Sequence, residues 1–211
     1  RAQLDMMRLS YQMVAMQDLP RRVGILYSIA SLIQDDDYSG ALGAAYEALS
    51  FTGEPIRFIS ENQLARKEFG DLRMIILPSA GHVRPECLDG LKAFAKNGRV
   101  VALGKDNLIG DPYRRPFDKE QTADIVSARI TGWKRTRDLL PALMEQMGKA
   151  GITNEVTVTV EGAGNAWGVE WRAARYGGKC YVNVFNLLRK QVRITVQCNG
   201  KTVGEMTDRI A

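Results

Sequence analysis

Thiols, imidazoles and aromatic rings are scarce in this chain of 211 residues: three cysteines, one histidine and 8% aromatic side chains. Cys87, Cys180 and Cys198 form no C-x-x-C pair, and an odd number of cysteines argues against a dense disulfide framework. They read as buried free thiols, with a Cys180–Cys198 bridge between neighbouring strands as the alternative in an oxidising compartment. His82 stands alone, so no multi-histidine metal site can form. No apolar run approaches the roughly 20 residues of a membrane-spanning helix. Neither G-x-x-x-x-G-K-[ST] nor a G-x-G-x-x-G after the first strand is present, which removes the two common phosphate-binding loops. There is no secretory apolar segment, no internal repeat and no low-complexity stretch. The sequence opens on Arg1 rather than Met, as expected of a piece of a longer polypeptide.

What is present is the composition of an ordinary globular protein, 45% hydrophobic and 25% charged. The length suits one large domain or two small ones, at about 150 residues per domain. It is too short for a complete (β/α)₈ barrel, which takes about 250 residues. The net charge of +5 is scattered. The basic patches Arg114-Arg115 and Lys134-Arg135 with Arg137 lack the interleaved aromatics of a nucleic-acid binder, so they read as solvated surface.

Two regions differ in hydrophobic period, and the change sets a boundary between residues 1–150 and 151–211. In the first, Leu4, Met7, Tyr11 and Val14 recur at helical spacing over Leu4 to Ala15 and are expected to share a buried face. Val23-Gly-Ile-Leu-Tyr27 reads as a strand, followed by a polar loop and a helix marked by Tyr38, Leu42, Ala45, Tyr46 and Leu49. Strands follow at Ile56 to Ile59, Leu72 to Leu77 and Arg99 to Leu103. Between them, Ser60 and Gln63 have capping-box spacing, and Pro85 opens a helix with Leu88, Leu91 and Phe94 inward. Residues 104–117 read as a long loop. Asp124 to Ile130 fits a fifth strand or a helix. Leu139, Leu140, Leu143 and Met147 mark a last helix in which Pro141 belongs in the first turn. Continuous apolar strands alternating with helices predict an α/β fold with a parallel sheet covered on both faces, in flavodoxin-like order 2-1-3-4 with a fifth strand. After Gly151, alternating runs at Val156–Val160, Gly168–Tyr176, Lys179–Phe185, Val192–Val196 and Thr202–Met206 predict a small antiparallel β domain. Its hairpin turns fall at Gly177-Gly178 and Asn199-Gly200.

The carboxyl edge of the parallel sheet is where ligands bind in such folds. Asp35-Asp36-Asp37 reads as carboxylates complementing a helix start, against a metal- or sugar-binding cluster. Ser79 and His82, three residues apart in one loop, have the wrong layout for a serine hydrolase, so Ser79 reads as a turn residue. The class I glutamine-amidotransferase-like enzymes place a cysteine at an elbow after a central strand. After Val100–Leu103 this chain has Gly104-Lys105-Asp106-Asn107, and Cys87 falls inside a helix. No catalytic, cofactor-binding or metal-binding residue is therefore assigned. Trp167 and Trp171 are the candidate sugar-contacting residues, as aromatic platforms, with a domain interface as their other reading.

Several stretches together resemble the trimerisation domain of family-42 β-galactosidases: Val23 to Ser28, Tyr46 to Gly53, Pro55 to Glu61, Met74-Ile-Ile-Leu-Pro-Ser-Ala80 and Phe94 to Val101. Gly168-Val-Glu-Trp-Arg172 and Val182 to Asn186 resemble the small β domain that follows it. The resemblance implies an amidotransferase-like scaffold without amidotransferase machinery. It also implies homo-oligomeric partners in a trimer, and an upstream catalytic barrel carrying the two catalytic glutamates of the family, neither of which maps onto this chain. The chain is thus expected to be a non-catalytic portion of a glycoside hydrolase, serving assembly and packing against the barrel. The alternatives are a small amidotransferase- or peptidase-like enzyme using Cys87, or a carbohydrate-binding module.

Overall fold

Short runs of branched apolar residues become the strands of one twisted sheet in the computed structural model, which describes residues 7–203. The elements are α1 (Ser10–Gln17), β1 (Val23–Tyr27), α2 (Ile29–Gln34), α3 (Tyr38–Ser50), β2 (Ile56–Ser60), α4 (Glu61–Ala65), β3 (Met74–Pro78), α5 (Pro85–Ala95), β4 (Arg99–Leu103), α6 (Lys119–Thr122), β5 (Ala128–Ile130) and α7 (Thr136–Lys149). Then come β6 (Val156–Val160), β7 (Val169–Tyr176), β8 (Lys179–Asn186), β9 (Ile194–Cys198) and β10 (Lys201–Thr202). They group into two compact units. The larger comprises Arg21–Leu49 and Ile56–Thr153; the smaller comprises Arg1–Pro20, Ser50–Pro55 and Asn154–Ala211. The change of period read at 150/151 thus lies close to Thr153, while two earlier segments group with the β strands.

In the larger unit the sheet order is β2-β1-β3-β4-β5, all parallel. This is the α/β, flavodoxin-like arrangement expected from the sequence. Every residue of β3 is buried, so both faces of the sheet are covered. On one face Leu26, Ile75, Leu77, Val100 and Ala102 pack with Tyr38, Leu64, Leu88, Leu91 and Phe94. On the other, Val23, Ile25, Met74, Ile76, Val101 and Leu103 are equally closed to solvent. Each fully buried Val, Leu, Ile, Phe or Met side chain contributes about 1.5–3 kcal/mol relative to exposure. The Ser60–Gln63 capping box and the Pro85 helix start form as expected.

Four local expectations need correction. The segment after β1 is a helix, α2, because Ser28 at its N-cap accepts the Ser31 N–H (3.1 Å). The fifth strand is only Ala128–Ile130. Pro141 is the sixth residue of α7, past its first turn. Met7, Tyr11 and Val14 are exposed rather than inward, and α1 buries no side chain; Leu4 lies outside the described residues.

The smaller unit holds a three-stranded sheet, β10-β9-β6, and the hairpin β7-β8, both antiparallel. Both turns occur where the Gly-Gly and Asn-Gly pairs placed them: Tyr176 pairs with Lys179 and Cys198 with Lys201. Val203 does not extend β10, and the rest of the strand expected over Thr202–Met206, residues 204–206, lies outside the described residues. The Ser50–Pro55 segment packs on Trp171. A Cβ at Gly53 would come within 2.3 Å of the indole ring, and its φ of +80° lies in the left-handed region, so only glycine fits there.

Candidate functional site

The carboxyl edge of the parallel sheet is built from the ends of β1, β3 and β4 and the loops that leave them. Ser79 follows β3 with φ of +51°, and Gly104 follows β4 with φ of +76°. Both strand exits are therefore sharp, as an elbow requires, but neither presents a nucleophile. The Ser79 hydroxyl donates to the Leu103 carbonyl (3.1 Å), which also accepts the Ser79 N–H (3.1 Å) and the Asn107 side-chain amide (2.8 Å). Asn107 in turn accepts the Ala80 N–H (2.9 Å). A Cβ at Gly104 would lie 2.6 Å from the Ser79 Oγ and its φ is +76°, so glycine is favoured there, and the next residue, where the elbow cysteine would stand, is Lys105.

Asp35 has a partner 47 residues away in sequence. One carboxylate oxygen accepts the Gly81 N–H (2.9 Å) and the His82 N–H (3.0 Å); the other lies 2.6 Å from His82 Nδ1. A carboxylate only accepts, so the facing ring nitrogen carries the proton. The Ser28 and Ser31 hydroxyls both donate to the His82 carbonyl, at 3.1 and 2.7 Å. Asp35 and His82 thus make the carboxylate–imidazole contact that a hydrolytic triad also uses, a contact the sequence reading did not supply. No serine or cysteine among the described residues hydrogen-bonds to His82 Nε2. The nucleophile is missing, and the pair instead pins the 81–82 loop to the end of β1 and α2.

Tyr38 closes the same corner. Its hydroxyl donates to the Leu26 carbonyl (2.9 Å) and accepts the Ser28 N–H (2.8 Å). Burial pushes its pKa up to about 12. At the end of β2, Glu61 accepts the N–H (3.1 Å) and Nε–H (3.0 Å) of Arg84 on one oxygen, while its other oxygen is buried without a partner among the described residues.

The remaining residues singled out from sequence are dispersed. Cys87 is fully buried on α5, and burial, with the Glu61 carboxylate nearby, pushes its thiol well above the ordinary range. A thiolate nucleophile does not arise there at neutral pH. Cys180 and Cys198 are free thiols, Cys180 exposed. Trp171 is only 4% exposed, and its indole N–H donates to the Phe51 carbonyl (3.3 Å). Both faces of its ring are covered within the smaller unit. Trp167 is half-buried and packs against Phe51 at 4.8 Å between ring centres, edge to face. Of the acidic triplet, Asp35 is the loop clamp and Asp36 and Asp37 are exposed. Among the described residues no group of three or more His, Cys, Asp or Glu side chains is placed to hold a metal ion, and no helix is long and apolar enough to cross a membrane.

No protein-family profile matches the sequence, and no curated protein does. Solved structures do match in fold. The apo exo-carrageenase GH42 from Bacteroides ovatus superposes over 91% of this chain and 26% of its own, at 19% identity and a TM-score of 0.69. A GH42 β-galactosidase from G. stearothermophilus matches over 88% of this chain and 38% of its own, at 15% identity and a TM-score of 0.61. A β-galactosidase from Bacillus circulans sp. alkalophilus matches over 79% and 36%, at 11% identity and a TM-score of 0.55. The chain spans 26–38% of the length of these enzymes. At such identities the likeness is one of fold: this chain has the fold of a part of the GH42 enzymes.

Proposed function

We propose that the chain is a non-catalytic portion of a glycoside hydrolase resembling the GH42 β-galactosidases, and that it serves subunit assembly and packing against a catalytic barrel. The observation that carries this reading is chemical. At the sheet edge where such folds bind ligands, the side chains that would act as nucleophile are committed to backbone groups or buried, and only the oriented His82–Asp35 pair remains. A scaffold of this kind acts through its surface. By its resemblance the assembly is a trimer, in which this portion also helps to wall the sugar pocket of a neighbouring subunit.

Two measurements on the purified 211-residue chain test the reading. Aryl β-galactosides and carrageenan oligosaccharides are expected to be turned over no faster than in buffer, and light scattering is expected to show an average mass that rises with concentration. Glycoside hydrolysis that survives repurification, or a monomer at every concentration, contradicts it.

A further inference from the structure

Two thiols of the smaller unit flank one ion pair. Cys180, on β8, lies directly opposite Arg175 in the β7–β8 ladder, so the two side chains share a face of the hairpin with Cβ atoms about 4.5–5.5 Å apart. The Arg175 guanidinium reaches Glu155, which precedes β6. The same Glu155 oxygen, Oε1, also accepts the Asn199 side-chain amide (3.1 Å) and the Cys198 thiol (3.6 Å) at the end of β9. Burial, and after it the charge of Cys198, push the Cys180 thiol up, while the Arg175 guanidinium pulls it down. The two sulfurs thus stand around one guanidinium–carboxylate contact, within electrostatic reach of each other. Cys180 is exposed and Cys198 half-buried, whereas Cys87 is sealed in the core of the larger unit.

The strands β8 and β9 follow one another in the chain but belong to different sheets, so a bond between these thiols joins sheet to sheet. Each cysteine is two residues from a hairpin-turn glycine of positive φ, Gly178 and Gly200. A disulfide asks for Cα atoms no more than about 7 Å apart, and strand ends beside such turns shift without disturbing the ladder interiors. We propose that Cys180 and Cys198 are a thiol–disulfide exchange pair that closes, on reaction with a low-molecular-weight disulfide, into a bond across the two sheets of the smaller unit. The Cys180 thiolate attacks one sulfur of the small disulfide, forming a mixed disulfide and releasing one small thiolate. The Cys198 thiolate then attacks the Cys180 sulfur and releases the second. The protein pair gives up two electrons, the small disulfide takes them, and the two protons of the protein thiols end on the two small thiols. Arg175 favours the thiolate at Cys180, and Glu155 holds the Cys198 sulfur beside the same guanidinium.

The test is disulfide mapping of the purified chain, reduced, freed of reductant, incubated at neutral pH with a small excess of oxidised glutathione and quenched by alkylation. The expected product is a pair of peptides joined through Cys180 and Cys198 within one chain, separated again by dithiothreitol, with Cys87 alkylated only after denaturation. Cys198→Ser is expected to stop at glutathione on Cys180. A wild-type chain in which Cys180 keeps its glutathione while Cys198 stays free, a Cys180–Cys180 bond between two chains, or two unmodified thiols overturns the proposal. The bridged chain is also expected to melt at least about 5 °C above the same chain after dithiothreitol, a difference that Cys198→Ser does not show. Equal midpoints for the bridged and reduced chains would overturn the bond as a tie between the sheets.

Discussion

Tyr38 bridges two backbone groups at the end of β1, accepting the Ser28 N–H and donating to the Leu26 carbonyl. Tyr38→Phe keeps the ring and removes both buried hydrogen bonds, which costs about 1–3 kcal/mol and should lower the urea midpoint accordingly. The pH dependence has a definite sign. The hydroxyl titrates at about 12 in the folded chain against 10.0 when free, chiefly because it is buried. Its contribution is complete below pH 10 and fades as pH rises through 12, so the Phe variant should lose less stability than the parent between those values. None of this was legible in the text, where Tyr38 is one of several helix-face apolar residues. Asp35 was hidden more deeply. Within Asp-Asp-Asp it reads as solvated charge, and its three hydrogen bonds depend on a loop 46 and 47 residues downstream. Spacing carries no trace of such a contact. Ser28 did leave a signal, since a serine at a strand end followed by Ile-Ala-Ser is an N-cap pattern.

Where an element is fixed by its own sequence, the reading and the structure agree: the Ser60 capping box, the Pro85 helix start and the Gly-Gly and Asn-Gly hairpins are set by neighbours within four residues. Agreement fails where the burden lies elsewhere. The period of Tyr11 and Val14 falls within a helix, but period alone does not say what that face meets; here Tyr11 stacks on Tyr176 at 5.7 Å and the face stays open. Pro141 sits deeper in α7 than its missing N–H favours, while Leu139, Leu140 and Leu143 around it are fully buried, and packing outweighs the lost bond. The two sheets of the smaller unit share an ion pair that no strand pattern reveals. Arg175 of β7 donates two hydrogen bonds to Glu155, which precedes β6. Those bonds hold the Glu155 carboxyl at about 2, against 4.5 when free. Their contribution is present above pH 4.5 and is lost as pH falls through 2. Thermal midpoints taken from pH 5 down to pH 2 should therefore fall less steeply for Glu155→Gln than for the parent chain. Equal slopes would mean the pair does not hold the sheets together.

For the molecule as a whole, topology was the most legible property. Uninterrupted apolar strands separated by helices leave few arrangements that bury both faces of a sheet, and the 2-1-3-4-5 order is one of them. The functional reading depended instead on where polar atoms point once the sheet is assembled. Sequence excludes a cysteine at the elbow, but only the folded chain shows the Ser79 hydroxyl turned onto the Leu103 carbonyl and the Cys87 thiol sealed in the core. It also shows that Trp171, a candidate platform in the text, is an anchor for the Ser50–Pro55 segment. The central claim is that this sheet edge is chemically closed. The most direct measurement is peptide mapping of the folded chain after treatment with a fluorophosphonate and, separately, a maleimide at neutral pH. The expected result is modification at the exposed Cys180, with Ser79 and Cys87 untouched until denaturant is added. Labelling of Ser79 or Cys87 in the folded chain at a rate matching or exceeding that of Cys180 would contradict it.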